Sequence, residues 1–296
     1  MSRLRTFAVV LLLAPLLLLC SCSLDAVAKF ASQSSQALAQ GPAILKDIEA
    51  SCIRGELSKT KDPYYGLDQP GPAAKVQADA AKACQTYTDE TPSMLAASKA
   101  LTDYFTAISQ LATTGKSSTG KNADSDKQAA QSTAKTPASI TLIQSVGKII
   151  DLVGKISAEG YRTEHLQKDL TTVSPDVDAV LAALKQFGST NYDTVLTVEQ
   201  QEYERRFNDL GLLPGTDAST KIIQVLAKDD ESTAARLIAA KHAEAAAYGK
   251  AIDQIISGHK ALLAHQGKLD AKDVPGLIQP YTDSLSQIAQ KLIPLF

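Results

Sequence analysis

Apolar side chains recur at three- and four-residue steps along most of this 296-residue chain, and this spacing is the strongest limit on its fold. Such a stripe lies along one face of an α-helix and is buried against neighbouring helices. No segment alternates Val, Ile or Thr with polar residues as a strand does. The sequence therefore predicts an all-α protein, an elongated antiparallel bundle of about five to six helices with one disulfide. The clearest stripe comprises Ile140, Ile143, Val146, Ile149, Val153 and Ile156.

The longest helical pattern runs from about Asp217 to Gln266. A continuous helix of that length would extend roughly 75 Å, which is more than a compact domain offers. The pattern thus predicts either a break near Asp229 or an elongated molecule. Prolines mark two further boundaries, a helix start at Ser174-Pro175 and Pro280 in the first turn of the last helix.

The chain begins with a leader in which Arg3 and Arg5 precede an apolar run from Phe7 to Leu19. This arrangement is typical of a secretory signal peptide. At about 1.5 Å per residue, the run is too short for a helix that crosses a hydrocarbon core of roughly 30 Å. It therefore predicts export of the chain and no permanent transmembrane anchor.

The tetrapeptide Leu19-Cys20-Ser21-Cys22 ends the leader and resembles the lipobox of bacterial lipoproteins. The resemblance implies removal of residues 1–21 as a lipoprotein signal peptide and attachment of lipid, such as palmitate, to Cys22. Two or more acyl chains hold a protein stably on a membrane. Since Ser23 and not aspartate follows, the family's sorting rule implies the outer membrane, facing the periplasm, if the cell is Gram-negative.

Two other interpretations of this region stay open. Cys20 is a second possible lipid acceptor, but Leu19 directly before it is bulkier than the residue at the usual signal peptidase site. Cleavage near Ser23 without lipid attachment would instead give an ordinary secreted protein.

Composition and charge disfavour several classes of protein. The net charge of the chain is −2 at pH 7, and it becomes −4 once Arg3 and Arg5 are removed with the leader. A mildly acidic chain lacks the basic surface with which proteins bind nucleic acid or anionic lipid. Aromatic residues are 5% of the chain and tryptophan is absent, which disfavours a carbohydrate-stacking surface or an aromatic cofactor pocket.

Cys52 and Cys84 are the two cysteines beyond the leader and the lipid site. An even pair in an exported protein predicts a disulfide. In the chain-entropy model, closing a loop of this length contributes about 3–4 kcal/mol. A reactive or metal-binding pair is the alternative, but it lacks a C-x-x-C spacing and a nearby histidine. The bridge would clamp a helical hairpin within residues 22–112.

The loop between these cysteines contains the adjacent Tyr64 and Tyr65. Aromatic side chains are enriched at the centres of interfaces, so the two tyrosines are a candidate contact for a protein partner. The alternative, which we favour, is that they cover the end of the bundle.

Residues 113–139 are rich in Gly, Ser, Thr, Lys and Asp and nearly lack large apolar side chains. Such a segment buries too little apolar surface to offset the entropy that ordering costs. It predicts a polar flexible loop between residues 22–112 and residues 140–296, whose helices belong to the same bundle.

Two motifs in this segment match binding loops only in part. Gly115 to Lys121 fits the G-x-x-x-x-G-K core of a phosphate-binding loop, but Asn122 replaces the Ser or Thr that holds magnesium. Asn122, Asp124 and Asp126 alternate like the first calcium ligands of an EF-hand, but Lys127 stands where glycine is required. Both motifs are therefore interpreted as linker composition.

The histidines and serines give no catalytic or metal-binding pattern. Neither H-E-x-x-H nor E-x-x-H occurs, so the four histidines are expected to be solvated or at the edges of helices. Ser-x-x-Lys recurs, but the S-D-N and K-T-G motifs that accompany it in β-lactamases are missing. The residues concerned are His165, His242, His259 and His265, and the pairs Ser58/Lys61, Ser118/Lys121, Ser132/Lys135, Ser145/Lys148 and Ser257/Lys260.

The sequence thus predicts no catalytic residue, metal ligand or cofactor. We expect a lipid-anchored structural or protein-interaction module of a bacterial cell envelope, bound to the membrane through Cys22 and to an unknown envelope protein. A periplasmic small-molecule or metal-binding helical bundle is the alternative from a different class, and an enzyme ranks third.

Overall fold

The computed structural model describes residues 24–59, 70–158, 161, 163–211, 217–264 and 273–292. Within these ranges the chain forms helices and no strand, so the predicted all-α fold is confirmed. One disulfide joins Cys52 to Cys84, as predicted. Several residues of the sequence-based predictions lie outside the described residues, namely the predicted signal peptide 1–21 with Cys20, and Cys22, Lys61, Tyr64, Tyr65 and His265.

The described chain contains ten α-helices with a short 3₁₀ segment before α5 and a π-helical segment before α8. They are α1 (24–38), α2 (Gly41–Ser58), α3 (Pro70–Ala83), α4 (Gln85–Thr114), the 3₁₀ segment (Thr119–Asn122), α5 (Ala123–Gln131), α6 (Pro137–Ile156), α7 (Thr163–Lys185), the π segment (Gln186–Asn191), α8 (Tyr192–Gly211), α9 (Ala218–Ala264) and α10 (Val274–Ala289).

Local sequence chemistry sets the ends of the central helices. Gly115 ends α4 in the left-handed conformation, with φ of 70°, and its N–H donates to the carbonyl of Leu111. Thr136 and Ser139 form a capping box at the start of α6, since each side-chain oxygen accepts the other's backbone N–H. These groups satisfy donors and acceptors that a helix end otherwise leaves unpaired.

α9 forms one unbroken helix of 47 residues, which is about 70 Å long. Asp217 caps its start by accepting the N–H of Thr220 at 2.9 Å. Of the two predicted outcomes for this pattern, the elongated molecule is therefore the correct one, and Asp229 lies within the helix. α9 packs against α8, α7 and α10 along its length.

Every helix except α3 contributes buried side chains to one hydrophobic core. α2 packs along α8 and α4, and α6 packs against α4, α5 and α7. The π segment packs against α9, where Gly188 leaves room for the ring of Tyr248. The largest fully buried side chains of the core are Tyr104, Tyr192, Tyr248, Phe30, Phe105 and Phe187.

The predicted flexible loop at residues 113–139 is corrected by the structure, because this segment contains the 3₁₀ segment and α5. α5 packs on α6 at Gly147 and Gly154. A Cβ on Gly154 would lie only 2.9 Å from the Cβ of Ala123. Ala130 is buried and Lys127 pairs with Asp151 of α6 at 2.6 Å. Small side chains and an ion pair thus hold a segment that lacks large apolar groups.

Two predicted helix starts are wrong. α7 continues through Pro175, which lies between the buried Val173 and Val177. α10 likewise starts before Pro280, between the buried Ile278 and Thr282. A proline inside a helix removes one hydrogen bond, and burial of the apolar face on both sides offsets that cost.

Candidate functional site

A cluster of charged side chains lies between α2, α8 and α9. Glu199 of α8 accepts hydrogen bonds from Ser51 and from Arg54 of α2. Asp47, one turn earlier than Ser51 on α2, lies 3.3 Å from Arg54. The side chain of Glu199 is 3% exposed, so the carboxylate is held almost entirely out of water.

Lys241 and Tyr192 complete this cluster from two further positions. Nζ of Lys241 lies 2.8 Å from Oδ2 of Asp47, and the Tyr192 hydroxyl donates to the same oxygen at 2.5 Å. Burial raises the pKa of Tyr192, and its hydrogen bond to Asp47 raises it further, so the phenol is protonated. Burial alone would lower the pKa of Arg54, but Glu199 and Asp47 together raise it.

Two carboxylates, a guanidinium and an ammonium thus neutralise each other inside the protein. Each carboxylate accepts hydrogen bonds from a cation and from a hydroxyl, so neither is free to act as a general base. Buried ion pairs of this type fix how helices align, since an unpaired buried charge would be costly. The cluster therefore positions α8 and α9 on α2.

His259 is buried in the core, which contradicts its expected position at a solvated helix edge. Its Nε2 lies 2.8 Å from the hydroxyl oxygen of Tyr104, and the rings of Tyr104 and Phe105 contact the imidazole edge to face. Burial lowers the pKa of His259 to about 4, and the charge of Lys260 acts in the same direction. The imidazole is therefore neutral at neutral pH and serves as a core side chain.

The exposed aliphatic side chains concentrate on residues 218–237 of α9, which we call the free half of α9. Ile222, Val225 and Leu226 are 59%, 69% and 62% exposed. Five of the eight large hydrophobic side chains that are exposed among the described residues lie here, including Ile223 and Leu237. Contiguous apolar surface of this kind marks contact sites far more often than isolated exposed residues do.

A groove of about 630 Å³ follows the same half of the helix, between α9 and the end of α8. Tyr203 and Phe207 of α8 stack on each other on one side, with ring centroids 5.8 Å apart. Ile223 and Leu226 of α9 lie on the other side. The groove extends the exposed aliphatic surface onto aromatic side chains.

The free half of α9 and the start of α1 lie at opposite ends of the molecule. Phe30 of α1 packs on Gly258, and Gly41 at the start of α2 packs on Tyr248, so α1 runs antiparallel to α9. Leu24 thus lies near the C-terminal end of α9. Because each helical residue rises about 1.5 Å, Val225 is about 60 Å from that end.

The disulfide ties α2 to the start of α4, and the end of α2 lies against α8. The Cα atoms of Cys52 and Cys84 are 5.9 Å apart, and Cys84 is buried at the junction of α3 and α4. At the end of α2, the Ser58 carbonyl accepts a hydrogen bond from Arg205 of α8 at 3.1 Å. The end of α2, which precedes Tyr64 and Tyr65 in the sequence, therefore lies beside the end of α8 that borders the groove.

The partial binding motifs of the sequence serve structural purposes. The N–H of Gly120 donates to Oγ of Ser157 at 2.9 Å, so it is not directed at a phosphate. Asp126 pairs with Lys99 at 3.0 Å. Ser145 and Lys148 both bond to Asp176, which leaves the lysine ion-paired. Among the described residues, no group of three His, Cys, Asp or Glu side chains could hold a metal ion.

Sequence reasoning missed the charge cluster and the buried histidine, although a signal for both exists. Glu199 follows the buried Val195 by four residues, and His259 follows Ile255 by four, so both occupy helix positions that the apolar stripe assigns to the core. A polar residue at such a position indicates a buried hydrogen bond or ion pair. The identity of its partner is not encoded locally.

Within the described ranges, no helix combines the length and apolar character needed to cross a membrane. Comparison with known proteins gives no family assignment, because no family model, no curated protein and no solved structure matches this chain.

Proposed function

We propose that this protein is a non-enzymatic interaction module of a bacterial cell envelope, held on its membrane by lipid on Cys22. The observation that carries the proposal is the exposed aliphatic surface of Ile222, Val225 and Leu226 at the end of the molecule remote from Leu24. Cys22 precedes Leu24 by two residues. In this proposal the anchor precedes the end of α1 that is remote from the contact surface.

The polar interior supports the same interpretation. The charges of Asp47, Glu199, Arg54 and Lys241 are mutually paired, and the imidazole of His259 is neutral in the core. A catalytic centre needs a base, acid or nucleophile that can reach a substrate. These groups instead fix the alignment of α8 and α9 on α2.

Site-specific photo-crosslinking in intact cells tests the proposed contact surface. A photoreactive amino acid at Val225 of the full-length chain should form a defined covalent complex with an envelope protein. The same label at Asp283, which is exposed on α10 near the opposite end, is the matched control. A label at Tyr65 tests whether the disulfide-clamped connection belongs to the same surface.

Equal labelling from Val225 and Asp283 would contradict the proposal, since it would indicate random collision. A defined complex from Val225 that disappears in the Ile222→Ser/Leu226→Ser variant would support it. Both side chains are more than half exposed, so their replacement should change the free energy of unfolding by no more than about 0.5 kcal/mol each. Loss of the complex would therefore report loss of contact and not loss of folding.

A further inference from the structure

One face of α9 remains open to solvent from its free half to beyond the middle of the helix. Ile222, Asp229, Arg236 and Ala243 follow each other at seven-residue intervals and are all exposed. Side chains at this interval form a continuous seam along a helix. The buried Ile238 lies on another side of this segment, and Leu226 and Asp229 stand where the exposed face borders the groove beside α8. We call the seam of exposed residues from Ile222 to Ala243 the pairing face.

The side chains of the pairing face, taken in chain order, complement the same side chains taken in the opposite order. About a midpoint between Ser232 and Thr233, large aliphatic groups on one side correspond to small alanines on the other. Ile222 thereby corresponds to Ala243, Val225 to Ala240, Leu226 to Ala239, and Asp229 to Arg236. A large side chain opposite a small one lets two helices approach closely and interdigitate.

Asp229 and Arg236 are the charged residues nearest the centre of the pairing face. Within the described part of the chain, Arg236 bonds to groups one turn away on its own helix, the Ser232 carbonyl at 3.2 Å and the Thr233 hydroxyl at 3.4 Å. Neither Arg236 nor Asp229 takes part in an ion pair within the described part of the chain. Seven residues separate them, about 10 Å along the helix, so they are too far apart to pair with each other.

We infer that the pairing face binds a second copy of this chain in an antiparallel, two-fold symmetric arrangement. In such a pair Asp229 of each copy meets Arg236 of the other, which gives two equivalent ion pairs on either side of the axis. The aliphatic side chains of each free half cover the alanines of the other copy. This inference rests on the proposed function and names the protein that the free half of α9 contacts.

The antiparallel arrangement places the two lipid-bearing ends at opposite ends of the pair. Each end of α9 that lies beside Leu24 is about 47 Å from the midpoint, so the two ends are about 90 Å apart. Both anchors can enter one membrane when the pair lies along its surface. The pair would then be held by two sites of lipid insertion in place of one, which strengthens membrane attachment.

Cysteine cross-linking of the full-length protein in intact cells tests this pairing. A cysteine in place of Ser232 lies beside its own copy across the axis and should form a disulfide-linked dimer under mild oxidation. A cysteine in place of Lys250, which is exposed on the same helix, is the matched control. The two copies of that residue would be about 50 Å apart in the pair and should not cross-link.

A charge exchange then tests the register. Asp229→Arg and Arg236→Asp each place like charges together at two symmetric positions and should reduce the Ser232→Cys dimer by about fivefold or more. The Asp229→Arg/Arg236→Asp double variant should restore it. Equal cross-linking at residues 232 and 250, or a double variant as weak as the single variants, would overturn the inference.

The cross-linking results also separate this inference from the proposed function. If Ser232→Cys gives no dimer while a photoreactive group at Val225 captures a different envelope protein, self-pairing is wrong and the interaction module stands. If neither position gives a defined complex, both proposals fall.

Discussion

Nζ of Lys241 lies 2.8 Å from Oδ2 of Asp47, and this ion pair joins the longest helix of the molecule to α2. The lysine side chain is 5% exposed and the aspartate side chain 10%. The pair is separated by 194 residues in the sequence. Lys241 lies four residues beyond the free half of α9.

Removal of this lysine should strongly destabilise the protein. Lys241→Ala removes one of the two cations that neutralise the buried Asp47 carboxylate. Breaking a buried ion pair in this way costs about 3 kcal/mol or more. Urea unfolding followed by circular dichroism measures the loss. Lys250→Ala, an exposed lysine on the same helix, should change stability by less than about 0.5 kcal/mol. Equal unfolding midpoints for the two variants would refute a stabilising role for the pair.

The buried His259 makes stability depend on pH. Its pKa is about 4 in the folded protein and near 6.5 in an unfolded chain, so the unfolded chain binds the proton more tightly. Stability should therefore fall as the pH decreases from about 6.5 to about 4, by up to about 3 kcal/mol, and this contribution should level off below pH 4. Unfolding curves across this range measure the effect.

A comparison of two histidine variants isolates the contribution of the core imidazole. His259→Gln keeps a polar group near Tyr104 but does not titrate, so its stability should lose this part of the pH dependence. His165→Gln changes an exposed residue, so this variant should retain the pH dependence of the wild type. Parallel pH profiles for wild type and His259→Gln would show that burial of His259 is not the cause.

Two glycines of α6 give a test of how α5 is held. A Cβ on Gly154 would lie 2.9 Å from Ala123, whereas the nearest contact of a Cβ on Gly147 is the flexible Lys127 side chain at 3.5 Å. Gly154→Ala should therefore displace α5 at a cost of about 1–3 kcal/mol and accelerate hydrogen exchange in residues 119–131. Gly147→Ala should leave that exchange unchanged. The same exchange rates in both variants would contradict docking through Gly154.

The all-α fold and the disulfide follow from the sequence because their signals are local. The stripe of Ile140 to Ile156 needs only the periodicity of one helix, and the Cys52–Cys84 pair needs only a count of the cysteines that follow a predicted export signal. The start of α9 near Asp217 is predicted for the same reason, and the aspartate accepts the N–H of Thr220 only three residues away.

The features that the sequence did not predict depend on distant partners. α5 is stable because glycines of α6 admit its backbone, and no property of residues 123–131 alone indicates that. Glu199 and Arg54 are 145 residues apart, so their contact depends on how α2 and α8 align. The continuity of α7 through Pro175 likewise reflects burial on both sides of the proline, which outweighs the local helix-breaking signal.

Metabolic labelling with a fatty acid tests most directly the claim that this protein works on a membrane through lipid on Cys22. The wild-type chain and a Cys20→Ser variant should both incorporate the label, because Cys22 is the proposed acceptor. Cys22→Ala should incorporate none and should remain uncleaved. Equal labelling of Cys22→Ala and wild type would contradict the account.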